Sequence, residues 1–250
     1  MKLEGHRVLI TGGSAGIGLA LAEDFLAVGC RVAVCGRDPE RLAAAEQKLP
    51  GLVTLQGDVA EDDDIARLAA GAEELLEGLS ILVNNAGIQF QTLFPDDPLE
   101  EIVTRVEREI AVNFTGLVKL TATCLPALAR VDEAAVVNVS SGLALVPKKS
   151  APIYCATKAA VHSFSKALRF QLEDHRPSIR VFEVLPPMVD TQMTAGRGSP
   201  GQKITTAQVA KETLDGMRRD RYEINVAKVK LLKWVKRLAP GVAERILRKV

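Results

Sequence analysis

The sequence predicts an α/β domain built on a doubly wound parallel sheet. Three observations carry that prediction. Short apolar runs recur along the 250 residues and alternate with segments of helical period. The runs are continuously apolar, as strands covered on both faces are. Glycines cluster where the first run meets the first helical pattern.

Residues 7–11, RVLIT, read as the first strand, followed by a helix over 17–28. CRVAVC (30–35) and LVTLQ (52–56) are the next strands, with helices over 39–49 and 61–76. ILVN (81–84) is a fourth strand. Residues 99–130 form a long helical pattern, expected to bend just before Pro126. AAVVNV (134–139), a helix over 154–174 and IRVFEVL (179–185) follow, and RYEINV (221–226) supplies a seventh strand. Right-handed crossovers between such units give the doubly wound arrangement. No linker or repeat interrupts the pattern, so residues 1–250 read as one domain, with 221–250 a basic C-terminal extension.

Composition narrows the function classes. Hydrophobic residues make up 47% and charged residues 25%, enough apolar material for a sizeable core. The apolar run Val8-Leu9-Ile10 is too short for a signal peptide or a membrane span. Cys30, Cys35, Cys124 and Cys155, with His6, His162 and His175, show no metal-ligand spacing, so no metal is expected. Scattered cysteines fit reduced thiols and a cytoplasmic setting. No nucleic-acid partner is expected. The net charge of +1 hides an asymmetry: residues 218–250 carry a balance of +8 and the rest −7.

The first strand runs into TGGSAGIG, Thr11 to Gly18. Glycines there let the backbone turn tightly and approach a pyrophosphate at a helix N-terminus. The spacing of Gly12, Gly16 and Gly18 is G-x-x-x-G-x-G. NNAG, Asn84 to Gly87, ends the fourth strand, where open parallel sheets bind ligands. Asp58 follows the third strand and serves either an adenine amino group or the next helix as a cap. Ser140 and Ser141 end the fifth strand, and YCATK places Tyr154 and Lys158 one helical turn apart.

Together these residues resemble the short-chain dehydrogenase/reductase family, over about residues 5–195. The resemblance implies a Rossmann-type sheet of about seven strands and a nicotinamide cofactor. It implies a catalytic set of Asn113, Ser141, Tyr154 and Lys158. Ser141 is preferred to Ser140 because its gap of thirteen to Tyr154 matches the family's usual one. Cofactor contacts are expected from Gly12, Ser14, Gly16, Ile17 and Gly18, from Asp58 and Val59, and from Asn85, Ala86 and Gly87. Tyr154, Lys158, Val189 and Thr191 are expected to complete them. The PPMVDT turn and the YEINVAK tail are similar to a subgroup containing the oxidoreductase of lipoteichoic-acid D-alanylation operons.

The chemistry suits these residue types. Hydride transfer to a carbonyl creates an alkoxide that needs a proton. A tyrosine supplies it once an adjacent ammonium lowers its pKa. A serine hydroxyl polarises the carbonyl. The second strand ends in Cys35, Gly36, Arg37 and Asp38. Gly36 leaves room for a 2′-phosphate and Arg37 can pair with it, which favours NADP(H) over NAD(H). The expected partner is a small carbonyl or alcohol, with Leu143, Leu145 and Val146 either lining its pocket or packing in the core. Residues 192–203 read as a mobile lid or a surface loop. The alternative is an NADP-binding sensor or membrane-associated protein with little turnover.

Residues 228–238, KVKLLKWVKRL, form a basic amphipathic helix. Leu231, Leu232, Trp234, Val235 and Leu238 share one side; Lys230, Lys233, Lys236 and Arg237 share the other. Three placements are open: against its own domain, in a homo-oligomer contact, or on the inner membrane surface through 228–250.

Overall fold

The computed structural model describes residues 1–198 and 201–248. Seven parallel strands form one sheet, in the order β3-β2-β1-β4-β5-β6-β7. They are β1 (Arg7–Thr11), β2 (Arg31–Gly36), β3 (Leu52–Gln56), β4 (Ile81–Asn84), β5 (Ala134–Val139), β6 (Ile179–Leu185) and β7 (Glu223–Asn225). The order reverses between β1 and β4, which opens a crevice at their carboxyl ends.

Alternation along each strand builds the two halves of the core. Val8 and Ile10 of β1 face α1 (Gly16–Ala27), α2 (Pro39–Lys48) and α7 (Thr206–Arg218), where Leu21, Phe25, Leu42 and Leu214 are buried. Leu9 faces the other way, with Ile65 of α3 (Asp62–Leu76), Leu120 and Cys124 of α5 (Gly116–Leu128) and Leu168 of α6 (Pro152–His175). All four cysteines are buried and free.

The long helical pattern deforms somewhere other than expected. α4 (Leu99–Ile110) passes through one π-helical turn, Ala111–Thr115, into α5, and Pro126 lies inside α5 without breaking it. The deformation sits at Asn113, whose side chain is bonded to backbone outside the helix. By length and composition the span Leu99–Leu128 is long and apolar enough to cross a membrane, yet Leu117, Leu120, Cys124 and Leu128 pack inside this domain.

The tail closes the fold. α8 (Val229–Leu238) and α9 (Pro240–Arg248) form a helical hairpin against the carboxyl ends of β5 and β6. Val229 and Ala243 pack with Leu145, Val146 and Leu185, and Leu232 and Val235 lie against them. Its basic face pairs with the acidic body: Lys230 meets Glu212 at 3.0 Å and Lys233 meets Glu223. Of the three placements, docking on its own domain is the one this structure contains. Leu231, Trp234 and Leu238 remain exposed on its outer edge.

Candidate active site

The turn from β1 into α1 is a cradle for an anion. Gly12 adopts φ +63°, a left-handed conformation that favours glycine. A Cβ on Gly18 would stand 2.4 Å from the Gly12 carbonyl oxygen, so this helix start admits no side chain there. Ala15 caps α1 with no side-chain bond, and no acidic residue lies in the first turn. Those N–H groups and the helix dipole are therefore available to a pyrophosphate. The residues present fit a dinucleotide.

NNAG ties the crevice together. Asn85 Nδ2 donates to the carbonyls of Thr11 (2.9 Å) and Gly12 (3.1 Å). Thr11 Oγ1 accepts from the N–H groups of Asn85 and Ala86. Asn84 is buried, donating to Thr121 and Asn138. Gly12, Gly16, Ile17, Asn85, Ala86 and Gly87 line a cavity of about 620 Å³ together with Ser141, Tyr154, Lys158, Val189 and Thr191.

Two of the four catalytic candidates, Asn113 and Lys158, meet at Gly87. A Cβ built there would lie 3.3 Å from Asn113 Oδ1 and 3.5 Å from Lys158 Nζ. Asn113 is fully buried. Its Oδ1 accepts from Ile88 N–H at 2.8 Å, and its Nδ2 donates to the Ile88 carbonyl at 2.9 Å and to Thr157 at 3.1 Å. Lys158 Nζ donates to the Val139 carbonyl at 2.9 Å and stands 5.8 Å from the centre of the Tyr154 ring. Ser141 Oγ accepts from Leu143 N–H and lies close enough to Tyr154 to act on its phenol.

Burial dominates the electrostatics. It pushes the Tyr154 phenol up to about 12, and Ser141 only partly opposes it. The expected lowering by Lys158 is not the controlling effect here. Burial drops Lys158 to about 8, against the pull of Glu183. The lysine is thus itself poised near neutrality.

Several expected contacts lie away from the cavity. Asp58 accepts from Ala60 N–H and is shared between Arg108 (3.1 Å) and Arg37 (3.5 Å). Val59 packs with Cys35, Leu68 and Val112. Ser14 sits beside Gly36, 3.3 Å from where a Cβ would project. Asp38 caps α2 through the N–H groups of Glu40 and Arg41. Leu143 lines the cavity, whereas Leu145 and Val146 pack in the core. Part of the loop over 192–203 falls on residues 199 and 200, outside the described residues. Its described part carries Thr191, which caps the turn Gln192–Thr194, and Arg197, bonded to Gln89.

Sequence reading missed four polar residues at the site. Glu183 of β6 is buried, accepting from Ser140 and bonding His162 Nδ1 at 2.7 Å. Its signal was a carboxylate among the apolar residues Val181, Phe182, Val184 and Leu185 of the strand. Glu109 is fully buried, its pKa raised by that burial, with Oε1 taken by Phe90 N–H. Arg41 and Lys148 also line the cavity, and no local pattern marks either.

Known proteins place this arrangement. Residues 6–200 match the family described as short chain dehydrogenase. The chain is 43% identical to the uncharacterized oxidoreductase DltE of Bacillus subtilis, over 93% of this chain and 92% of that one. It is 33% identical to serine 3-dehydrogenase of Rhizobium radiobacter, over 78% and 77%. A short chain dehydrogenase of Burkholderia cenocepacia, solved in complex with NADP, superposes with a TM-score of 0.86 at 27% identity, over 99% of both chains. The cradle after β1, the asparagine clasp and the tyrosine–lysine turn stand in one crevice, and this chain belongs to the short-chain dehydrogenase family.

Proposed function

We propose that this oxidoreductase interconverts a carbonyl and its alcohol with NADP(H), through Tyr154, Lys158, Ser141 and Asn113. The observation that carries the reading is that Ser141, Tyr154 and Lys158 line one cavity with the cradle at α1, with Asn113 beside Lys158 at Gly87. A nicotinamide bound there supplies the hydride to the carbonyl carbon. Tyr154 gives its phenol proton to the carbonyl oxygen as that oxygen takes the C=O electron pair. With its pKa near 12, the phenol holds that proton across the physiological range. Ser141 donates to the same oxygen and stabilises its developing charge. Lys158, in its ammonium form, favours the phenolate left behind. Asn113 has its side chain committed to Ile88 and Thr157. Its part in a proton path therefore runs through the backbone of the π-helical turn.

Three features support NADP(H). Asp38 is committed to capping α2 and to Arg41 at 3.1 Å, so it is not held for a ribose hydroxyl. Gly36 leaves space next to Ser14. Arg37 is more than half exposed and held only by a 3.5 Å pairing with Asp58, and Arg41 lines the cavity nearby. A 2′-phosphate would draw both guanidinium groups. Fluorescence titration with NADPH and NADH tests this. The expected result is NADPH binding tighter by about tenfold or more, as one charge-assisted contact provides. Arg37→Ala should erase most of the difference. Tighter NADH binding contradicts the cofactor assignment, and no binding of either contradicts the enzyme reading.

A further inference from the structure

Lys148 is a largely buried cation at the cavity, 7% exposed. Its backbone N–H donates to Cys155 Sγ at 3.4 Å, which fixes the segment to α6 one residue past Tyr154. Its ammonium makes no hydrogen bond or ion pair among the described residues. Burying such a charge is costly unless something pairs with it. Arg197 is close enough for its charge to act on both Lys148 and the Tyr154 phenol. Glu109 also acts on Tyr154, but it is not among the charges acting on Lys148. Lys148 and Arg197 thus line one cavity with Tyr154, and no carboxylate is among the charges acting on Lys148.

Another part of the lining is apolar. Leu143, Met188, Val229, Leu232, Val235 and Leu247 line it, most of them from α8 and α9. The same cavity is lined by Gly12, Gly16 and Asn85 of the cradle, so a substrate beside the cofactor meets these apolar side chains. A ligand that fits both parts of the lining has an anionic head and an apolar body.

We propose that the substrate is an anionic amphiphile: a carbonyl or alcohol near a carboxylate or phosphate held by Lys148 and Arg197, on an apolar chain beneath α8. This rests on the oxidoreductase reading above, since it places the reacting group at Tyr154.

Binding of unreactive probes tests it without turnover. Octanoate, octyl phosphate and 1-octanol are titrated calorimetrically into the full chain, with and without NADP⁺. At least one anion is expected to bind about tenfold or more tightly than the alcohol, as a charge-assisted hydrogen bond provides. Which anion wins separates a carboxylate from a phosphate head. Lys148→Met should remove the preference while leaving octanol and NADPH affinity unchanged, which a merely misfolded variant would not do. Arg197→Gln, at a half-buried turn, should weaken it independently. Equal affinity for all three probes, binding of none, or a preference that survives both substitutions overturns the proposal. Failure of the oxidoreductase reading shows separately, as absent cofactor binding or as turnover indifferent to Tyr154.

Discussion

Glu183 is buried, and its carboxylate acts on the Lys158 ammonium. Its carboxylate raises the Lys158 pKa against burial, which otherwise pulls it down to about 8. Above that value the lysine loses its proton and no longer favours the phenolate. The pH profile of kcat/KM for the cofactor should therefore fall on a limb near pH 8. Glu183→Gln should move that limb to lower pH; an unmoved limb would mean Glu183 does not act on Lys158. The same carboxylate raises His162 from 6.5. The folded protein thus holds that proton more tightly than the unfolded chain. The resulting stability is fully present below about pH 6.5 and lost as pH rises through the folded value. The stability gap between the protein and His162→Asn should shrink along that rise in chemical denaturation; a gap constant with pH contradicts the pairing. The Tyr154–Lys158 pair was legible at this scale because its spacing is one helical turn. Glu109 and Lys148 were not, since their meaning depends on packing between distant segments.

At the scale of elements, strand positions were readable because buried parallel strands are short continuous apolar runs. The exception was the bend in the long helix. Pro126 suggested it, yet that residue lies in the last turn of α5, where a missing N–H disturbs little of the helix beyond it. The deformation follows Asn113, whose bonds to Ile88 come from tertiary structure. α7, TAQVAKETLDGMR, went unread although Val209, Ala210, Thr213, Leu214 and Met217 form its buried stripe, because that stripe includes small and polar residues. α2 offers a test of the cofactor argument. Asp38 accepts from two N–H groups at its start. Asp38→Ala should lower stability by about 1 kcal/mol, as loss of an N-cap does. It should leave the ratio of NADPH to NADH affinity unchanged. A ratio shifted toward NADPH would place Asp38 on the ribose.

For the whole molecule, the charge asymmetry visible in the sequence becomes intramolecular. The basic tail lies on an acidic body through Lys230–Glu212 and Lys233–Glu223. Such exposed pairs contribute little each, about 0–1 kcal/mol. The apolar contacts of Val229 and Ala243 with Leu145, Val146 and Leu185 do more to hold the hairpin. Sequence pattern showed an amphipathic helix but not what its apolar side covers, because that partner lies some eighty residues away in the chain. A chain ending at Ala227 should lose substrate turnover and melt at lower temperature while keeping cofactor affinity, because the cradle at α1 lies outside the hairpin. Undiminished turnover would show that α8 does not form the substrate wall.

Hydride transfer completed by the Tyr154 proton is the central claim, and Tyr154→Phe tests it most directly. The variant is compared with the unaltered protein for NADPH affinity and for turnover of the best substrate from a carbonyl panel. Turnover should fall by about two to four orders of magnitude, the range for removing a general acid. NADPH affinity should stay close to unchanged. Equal turnover in the variant would contradict the mechanism.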